Sequence, residues 1–444
     1  MLNKNEIIEL VITDFDYDGY GISHHDGYTI FVANSLIGEK VLAKILKVNK
    51  TIAFAKTETI LSSSKERREP PCPYYQLCGG CNLMHLSYNE QLKVKVNALR
   101  NTLNKMIDVK DINPIVKADN IYNYRNKISL PVGSDENGLI VGFYQKRSHH
   151  IIPSTNCLLE QSGAREIVNE VLSILNKNKF SAYDEISFKG DIRHLVLRAN
   201  HKGEFMLCVV ANNNIEKLKK VLSNLNINNL VSIYINVNQY HNNVILSKDF
   251  IHIAGQEVLE EEILGQKYLI HPNSFLQVNY EMMEKLYNTA ISKLSLSGNE
   301  TVLDSYCGVG TIGLSFANRV GKIIGVEIEE EAVINAKENA KRNNINNAFF
   351  YADSSENFIN NLENEKIDIL VMDPPRSGSK ESFLEAVCKR QIEKIVYISC
   401  GPTSLARDLK YLLDNGYQLT DVIPVDLFPN TSHVETVCCL VKQK

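Results

Sequence analysis

Hydrophobic and polar residues alternate with a period of two along the first part of the chain. The alternating runs are separated by turns at Asp18-Gly19, Asp26-Gly27 and Ile37-Gly38, and this pattern predicts short β-strands. Several short strands within about sixty residues are typical of a small OB-like β-barrel. The predicted strands lie at residues 7–11, 21–23, 29–32, 40–48 and 53–60.

The C-terminal part has a different pattern, because apolar strand-like runs alternate there with segments of helical periodicity. This alternation predicts a doubly wound, mostly parallel, Rossmann-like sheet. The last apolar run, residues 434–441, has no crossover helix before it, so we expect it to pair antiparallel at an edge of that sheet. The other predicted strands are residues 302–304, 323–327, 349–351, 367–372, 394–399 and 418–423.

The pattern between these parts is mixed and predicts a central α+β domain. A polar segment ending in Pro70-Pro71 is typical of a linker. We therefore expect a multidomain α/β protein with a β-barrel at residues 1–61, a central domain at 62–270 and a Rossmann-like domain at 271–444. Within the central domain, residues 87–117 are expected to include a helix that packs on the C-terminal domain.

Composition and charge exclude few classes of protein. The 444 residues are 44% hydrophobic and 23% charged, with a net charge of −4, which argues against a globally basic nucleic-acid binder. No apolar run reaches the ~18 residues of a membrane helix, and the charged start lacks a signal core, so we expect a cytoplasmic protein without membrane contact. Nucleic-acid binding would need a local basic face, for which the candidates are Lys93, Lys95, Arg100, Lys105, Lys110, Lys117, Arg125, Lys127, Lys146, Arg147, His149 and His150.

Candidate chemistry lies at the carboxyl ends of two predicted strands. Cys400 follows one strand and precedes a Gly-Pro turn, and Asp373 follows the strand before it and begins an Asp-Pro-Pro-Arg loop that ends in Arg376. Open α/β sheets bind their ligands at this edge. A thiol at this edge is a candidate nucleophile, and Arg376 is a candidate for lowering its pKa.

A glycine-rich turn upstream indicates a nucleotide-type cofactor. Its G-x-G-x-x-G pattern, at residues 308–313, also fits a dinucleotide site, so a nicotinamide-dependent oxidoreductase is an alternative. Three acidic residues favour S-adenosylmethionine. Asp304 could hold its amino group, Glu327 both ribose hydroxyls and Asp353 the adenine edge.

Three cysteines in C-x5-C-x2-C spacing predict a metal or iron–sulfur site. Cys72, Cys78 and Cys81 need a fourth ligand to complete a tetrahedral zinc or a cubane cluster. Cys157, in a loop after Pro153, is the leading candidate and His85 is the competitor.

With these motifs the chain resembles the bacterial RNA uridine-5 methyltransferases of the iron–sulfur type, and among them the branch that modifies 23S rRNA. The start resembles a TRAM domain, and Phe275 to Asn279 resembles a cofactor-binding segment. The chain departs from the family at Ile37, usually proline, at Thr311, often asparagine, and at Gly401, where asparagine is commoner. Further matching motifs are Leu36-Ile37-Gly38-Glu39, Tyr124-Arg125-Asn126-Lys127, Gly142-Phe143-Tyr144, Ser148-His149 and His433-Val434-Glu435.

The resemblance implies methylation of carbon 5 of a uridine by S-adenosylmethionine through a covalent cysteine–uracil adduct. It implies Cys400 as the nucleophile and Glu435 as the general base. The partner implied is RNA, first 23S rRNA and alternatively tRNA, without an obligate protein partner. The implied cofactor residues are Gln277, Tyr306, Glu327 and Asp373, and the implied ligands of a [4Fe-4S] cluster are Cys72, Cys78, Cys81 and Cys157.

Two further alternatives remain at this point. A cytosine-5 RNA methyltransferase shares the thiol chemistry but usually carries a second cysteine after a proline, where this chain has Arg376 in its Asp-Pro-Pro-Arg loop. A non-catalytic RNA-binding or ribosome-assembly protein would explain the barrel and the cysteines without the nucleophile.

Overall fold

The computed structural model describes residues 2–16, 18–146, 148–362 and 365–443. Arg147, one of the predicted basic residues, therefore lies outside the described part of the chain. Within these ranges the strands form one six-stranded sheet, two seven-stranded sheets and a separate two-stranded hairpin. No helix of the described ranges has both the length and the apolar composition needed to span a bilayer.

The N-terminal sheet has the strand order β1-β5-β6-β4-β3-β2, in which only β4 and β6 are parallel neighbours. Its strands form because alternate residues enter one core, as Val41, Ala43 and Ile45 of β5 do. The two-residue strand β2 has no counterpart in the predicted pattern. The strands are β1 (Ile7–Val11), β2 (Asp14–Phe15), β3 (Gly21–His25), β4 (Tyr28–Ala33), β5 (Lys40–Val48) and β6 (Ile52–Ser62).

The central part contains a seven-stranded sheet in the order β13-β12-β11-β10-β7-β8-β9. Helices α2 and α3 cover one face through Val168, Val171 and Leu218. The elements are α1 (Tyr88–Leu103), β7 (Lys127–Asp135), β8 (Gly138–Tyr144), β9 (Ile151–Pro153), α2 (Ala164–Lys177), β10 (Ile192–Ala199), β11 (Phe205–Ala211), α3 (Ile215–Leu222), β12 (Leu230–Val237) and β13 (Phe250–Gly255), followed by the hairpin β14 (Leu259–Ile263) and β15 (Gln266–Ile270).

The C-terminal sheet has the order β18-β17-β16-β19-β20-β22-β21, with every neighbouring pair parallel except those of β22. Its elements are α4 (Tyr280–Ser292), β16 (Thr301–Ser305), α5 (Thr311–Ser315), a short 3₁₀-helix (Ala317–Arg319), β17 (Lys322–Glu327), α6 (Glu330–Arg342), β18 (Ala348–Ala352), α7 (Ser355–Asn361), β19 (Ile369–Met372), α8 (Glu381–Lys389), β20 (Lys394–Ser399), α9 (Pro402–Asp414), β21 (Tyr417–Val425) and β22 (Glu435–Lys442).

The last strand differs from its predicted place. β22 is antiparallel, as expected, but it lies between β20 and β21 rather than at the edge, and β21 is the edge strand. The reason is that β22 is apolar on both faces. Val437 and Cys439 enter one core, and Cys438 and Leu440 enter the core on the opposite face, so an inner position buries both sets.

Two elements that precede residue 271 pack on the C-terminal sheet. Leu99 and Leu103 of α1 share a core with Leu409 and Leu412 of α9. Tyr268, in the β14–β15 hairpin, shares a core with helix α4 on the other face. The domain boundaries at residues 61 and 270 stay predictions, since the core crosses the second of them.

Candidate active site

Cys400 lies at the carboxyl end of β20, immediately before helix α9. The turn is tight because the Gly401 amide donates to Ser399 Oγ at 3.1 Å, and a Cβ on Gly401 would come within 2.8 Å of the Arg376 carbonyl oxygen. Cys400 is partly exposed. A thiol at the N-terminus of a helix has its thiolate form favoured by the helix dipole.

Glu435 lies beside this turn because β22 runs antiparallel to β20, with Ser399 paired with Thr436. Its side chain is buried, with 2% of the residue exposed, and its Oε2 atom has no hydrogen-bond partner among the described residues. Burial, and then the Asp373 carboxylate, raise the pKa of Glu435 to about 8. A buried carboxyl with a free acceptor atom and a pKa in this range is suited to accept a proton.

Charged groups around the thiol act in opposite directions. Burial, and then the carboxylates of Glu435 and Asp373, raise the pKa of Cys400 to about 11, whereas the Arg376 guanidinium lowers it. Asp373 follows β19, and burial raises its pKa to about 7. The structure thus brings Cys400, Asp373 and Glu435 together at the carboxyl edge of the parallel strands.

The glycine-rich turn follows β16 and bends around two carboxylates. The amide of Gly313 donates to Asp304 Oδ2 at 3.0 Å, and a Cβ at Gly313 would lie 2.8 Å from the same oxygen. The amide of Gly308 donates to Glu327 Oε2 at 3.1 Å. Only glycine allows the first of these approaches without a clash, and the two bonds fix both carboxylates at the turn.

Tyr306 lies within this turn in a left-handed backbone conformation, with φ of 63°. A bulky residue seldom adopts this conformation, and such strain is common at ligand sites. Its ring is half-buried against Phe383 in an edge-to-face contact with centroids 5.9 Å apart. Tyr306 and Glu327 are both partly exposed, so both side chains can be reached by a ligand.

Gln277 and Asp353 are two further predicted cofactor residues. Gln277 is buried with 7% of the residue exposed, and its backbone oxygen accepts a bond from Asn126 Nδ2 at 3.2 Å. Asp353 follows β18, where its amide donates to the Glu327 carbonyl at 3.0 Å. Thr311, at a position where the resembled family often has asparagine, is buried and its Oγ1 lies 3.3 Å from the Tyr287 hydroxyl.

Tyr287 is a site residue that the sequence pattern did not single out. It is buried on α4, with its hydroxyl 3.3 Å from Thr311 Oγ1, and its pKa is raised by burial and then by the carboxylates of Asp373, Asp304 and Glu435. Its spacing on α4 is that of an ordinary core residue, which left no local signal of this role.

The four predicted cluster cysteines line one cavity of about 320 Å³. The described segment 72–81 consists of turns and bends without a helix or a hairpin. Within it, the amide of Gly80 donates to Cys78 Sγ at 3.3 Å. The walls also include two cations, and the described lining residues include no carboxylate. The cysteines are Cys72, Cys78, Cys81 and Cys157, and the cations are Arg125 and Lys127.

Among the described residues, no three His, Cys, Asp or Glu side chains come close enough together to hold a single metal ion. His85, the competing fourth ligand, does not line the cavity; its Nδ1 is hydrogen-bonded to the Tyr75 hydroxyl. The four thiols thus line one cavity, and the described part of the chain shows no preformed metal site there.

Comparisons with known proteins identify the family of the chain. Residues 87–443 match the model of the family described as tRNA (Uracil-5-)-methyltransferase, and residues 2–57 match that of the TRAM domain. An uncharacterized RNA methyltransferase of Listeria monocytogenes is 40% identical over 446 residues, which cover 99% of this chain and 98% of the relative. One of Staphylococcus aureus is 40% identical over 443 residues, covering 98% of each chain.

A solved structure shares the complete architecture. The Pyrococcus abyssi tRNA (uracil-54, C5)-methyltransferase, in complex with S-adenosyl-L-homocysteine, is 27% identical with a TM-score of 0.79, covering 98% of this chain and 99% of that one. The family match spans well over half of the residues. The chain is therefore an RNA methyltransferase with an N-terminal TRAM domain, and it belongs to the tRNA (uracil-5-)-methyltransferase family.

Proposed function

We propose that this protein methylates carbon 5 of a uridine in RNA, with S-adenosylmethionine as the methyl donor and Cys400 as a covalent nucleophile. The observation that carries the proposal is the position of Glu435. A buried carboxyl, one oxygen of which has no hydrogen-bond partner in the described part of the chain, lies at the same sheet edge as a partly exposed thiol. A nucleophile and a base placed together in this way are what an addition–elimination reaction on a pyrimidine requires.

Cys400 begins the reaction by adding to carbon 6 of the uracil. The new carbon–sulfur bond turns the ring into an enolate, and carbon 5 becomes nucleophilic. The thiol must react as its thiolate, and both Arg376 and the N-terminus of α9 favour that form. The target base has to leave its stack to reach the thiol, at a cost of a few kcal/mol.

Glu435 completes the reaction. When bound, S-adenosylmethionine supplies an electrophilic methyl group to carbon 5. Glu435 then takes the proton from carbon 5, and elimination breaks the carbon–sulfur bond and frees the Cys400 thiolate. The raised pKa of Glu435, about 8, makes its carboxylate a stronger base than an exposed glutamate.

The residues at the glycine-rich turn fit a cationic, adenosine-containing cofactor. Asp304, Asp373 and Glu327 place several carboxylates around one space, and the pKa values of Asp304 and Asp373 are each raised, by burial first, to about 7. A sulfonium and an ammonium group would balance this charge. Glu327 would bind the ribose, Tyr306 would contact the adenosine, and Gln277 and Asp373 would complete the cofactor site.

The cavity of the four cysteines is proposed to hold a [4Fe-4S] cluster. What supports this is one cavity lined by four thiols and two cations, together with the N–H···S bond at Cys78, since hydrogen bonds to sulfur are typical of such ligands. Cys72, Cys78, Cys81 and Cys157 would be the ligands.

For the RNA we propose 23S rRNA first, on the sequence resemblance, and tRNA as the second candidate. The Pyrococcus abyssi protein, whose likeness covers the TRAM domain as well, is named for uracil 54 of tRNA. The shared architecture therefore does not separate the two RNAs. Mass spectrometry can map 5-methyluridine in both RNAs from cells with and without the gene, and this mapping distinguishes the two candidates. Loss of 5-methyluridine confined to tRNA would reject the ribosomal candidate.

Two substitutions test the chemistry. Cys400→Ala should abolish methylation while binding of S-adenosylmethionine persists, and a fully active variant would reject the nucleophile. Glu435→Gln should leave the RNA covalently attached to the protein, visible on a denaturing gel. Cys400→Ala/Glu435→Gln is the matched control and should show no adduct.

A separate measurement tests the cluster. Protein purified without oxygen should be brown and contain about four irons per chain. Cys81→Ala should lose the iron, whereas Cys208→Ala, a buried cysteine on β11, should keep it. Stoichiometric zinc in place of iron would overturn the proposal.

A further inference from the structure

The loop between β21 and β22 ends at the proposed base, and we call residues 426–434 the base loop. It is buried rather than exposed: Asp426 is 0%, Asn430 1% and Ser432 6% exposed. Its contacts come largely from segments outside the C-terminal sheet. The position of Glu435 therefore depends on parts of the chain that are distant in sequence.

The middle of the base loop is held by helix α1 and by the central domain. Gln91 Oε1 accepts from the Asn430 amide at 2.9 Å, and Lys95 Nζ donates to the Phe428 carbonyl at 3.0 Å. The Tyr124 hydroxyl donates to the Pro429 carbonyl at 2.9 Å. These contacts end at Asn430, five residues before the base.

The part of the loop nearest to Glu435 is held by Asn82. Asn82 Nδ2 donates to Ser432 Oγ at 2.9 Å, and the Ser432 amide donates to Asn82 Oδ1 at 2.7 Å. The backbone amide of Asn82 also donates to the Asn430 carbonyl at 3.2 Å. One side chain thus forms a two-bond clamp on a residue three positions before the proposed base.

Asn82 also joins this loop to two other parts of the molecule. Its Nδ2 donates to the Asp18 carbonyl of the TRAM domain at 2.8 Å. Gly19, at φ of 86°, permits the approach, because a Cβ there would lie 2.7 Å from Asn82 Nδ2. Asn82 directly follows Cys81, which lines the cysteine cavity. The TRAM domain, the cysteine segment and the base loop therefore meet at one side chain.

We propose that Asn82 is a positioning residue that holds the base loop so that Glu435 reaches the proton on carbon 5. The inference rests on the proposed function. Asn82 bonds to the TRAM domain and the base loop, whereas Cys400 is placed by β20 and α9. Loss of Asn82 should therefore slow proton removal and leave thiol addition intact.

This difference gives a signature that a general loss of stability does not produce. If the base is misplaced while the nucleophile is not, the covalent RNA adduct forms but breaks down slowly. Asn82→Ala should accumulate adduct in the presence of S-adenosylmethionine. Its kcat should fall about tenfold to hundredfold, the effect expected from displacing a reacting group by about 1 Å, while KM for RNA changes little.

The full-length protein is used, with Asn89→Ala as the control because Asn89 is exposed on the first turn of α1. The control should behave as the wild type. Asn82→Asp keeps the acceptor for the Ser432 amide but loses both donor bonds, so it should fall between the wild type and Asn82→Ala. If the alanine variant does not fold, adduct accumulation and kcat of Asn82→Asp test the inference in its place.

Amide hydrogen exchange gives a second measurement that needs no RNA. The amides of residues 430–433 should exchange faster in Asn82→Ala than in Asn89→Ala, while those of β20 remain unchanged. An unchanged kcat, or a reduced kcat without adduct in a variant that still binds S-adenosylmethionine, overturns the inference.

Parallel assays separate this inference from the proposed function. If the wild type fails to methylate, or Glu435→Gln gives no adduct, the proposed function is at fault. If both behave as expected and Asn82→Ala matches the wild type, the inference alone is rejected.

Discussion

Ser399 of β20 pairs with Thr436 of the antiparallel strand β22. Cys400 follows the first residue and Glu435 precedes the second, so both leave the pair at the same end of the sheet. The strands are joined by a helix, a further strand and the base loop, and their pairing brings the thiol and the carboxyl to the same edge of the sheet. The Glu435 carboxylate raises the pKa of the Cys400 thiol, so a change at the carboxyl can be measured at the thiol.

Glu435→Gln should lower the pKa of the Cys400 thiol. Burial is the main cause of its raised pKa of about 11 and would remain, but the carboxylate of Glu435 is the next cause. A neighbouring negative charge disfavours a thiolate, so its removal shifts the pKa down. The pH dependence of alkylation by iodoacetamide, followed for the Cys400 peptide by mass spectrometry, measures this. An unchanged or higher pKa would contradict the placement of the carboxyl beside the thiol.

Arg376→Gln should shift the same pKa in the opposite direction. The guanidinium favours the thiolate, so its loss raises the thiol pKa and slows alkylation at any pH below it. Lys389→Gln, at an exposed position on α8, removes the same charge far from the site and should leave the alkylation profile unchanged. A matching shift in both variants would mean that net charge, not contact with Arg376, controls the thiol.

Glu435→Gln should also stabilise the free protein at alkaline pH. Burial raises the pKa of Glu435 from 4.5 to about 8, so between these values the folded chain binds more protons than the unfolded one. A carboxyl whose pKa is raised by folding contributes fully to the free energy of unfolding at low pH, and this contribution is lost as the pH rises through this window. The variant should match the wild type near pH 4.5 and exceed it by about 4 kcal/mol near pH 8, since each unit of the pKa shift corresponds to about 1.4 kcal/mol.

Thermal unfolding across this pH range, without RNA or cofactor, provides the measurement. The gap between the two midpoints should widen as pH rises. A gap that is constant or narrows would show that Glu435 is not buried as an uncompensated carboxyl. Stability gained by removing a buried active-site charge is a common consequence of the strain that function imposes.

Local pattern was enough to predict the strands that bury alternate or continuous apolar residues. The β5 alternation of Val41, Ala43 and Ile45 and the apolar runs of β16 to β20 each carry their own signal. The position of β22 between β20 and β21 has no such local signal in the sequence. An antiparallel strand with two apolar faces fits an inner position, but its partner is chosen by residues elsewhere in the chain, and the pattern of 434–441 alone does not specify it.

Some residues of the candidate site could be predicted from the sequence, and others could not. Cys400, Asp373 and Glu327 end strands and could be selected from their position and from family motifs. Tyr287 could not, because a tyrosine at core spacing on a helix looks like packing. Asn82 could not either, since its bonds to Asp18 and Ser432 join segments 64 and 350 residues away, and no local pattern signals contacts of that range.

A buried ion pair at the start of the base loop leads to the last prediction. Lys95 of α1 donates to Asp426, and both side chains are 0% exposed. Burial lowers the pKa of Lys95, and the Asp426 carboxylate opposes this. Lys95 is the only cation paired with Asp426 among the described residues, so removing Lys95 would leave a buried carboxylate without a compensating charge.

Lys95→Met should therefore destabilise the protein by about 3–5 kcal/mol, the usual cost of leaving one member of a buried pair alone. Lys93→Met is the matched control, because Lys93 lies two residues away in an exposed pair with Glu90, and its effect should be far smaller. Lys95→Met/Asp426→Leu should recover much of the loss, since apolar groups replace both charges. Thermal and urea unfolding of the four proteins test this. A double variant no more stable than Lys95→Met would show that packing by the lysine stem, and not the unpaired charge, accounts for the loss.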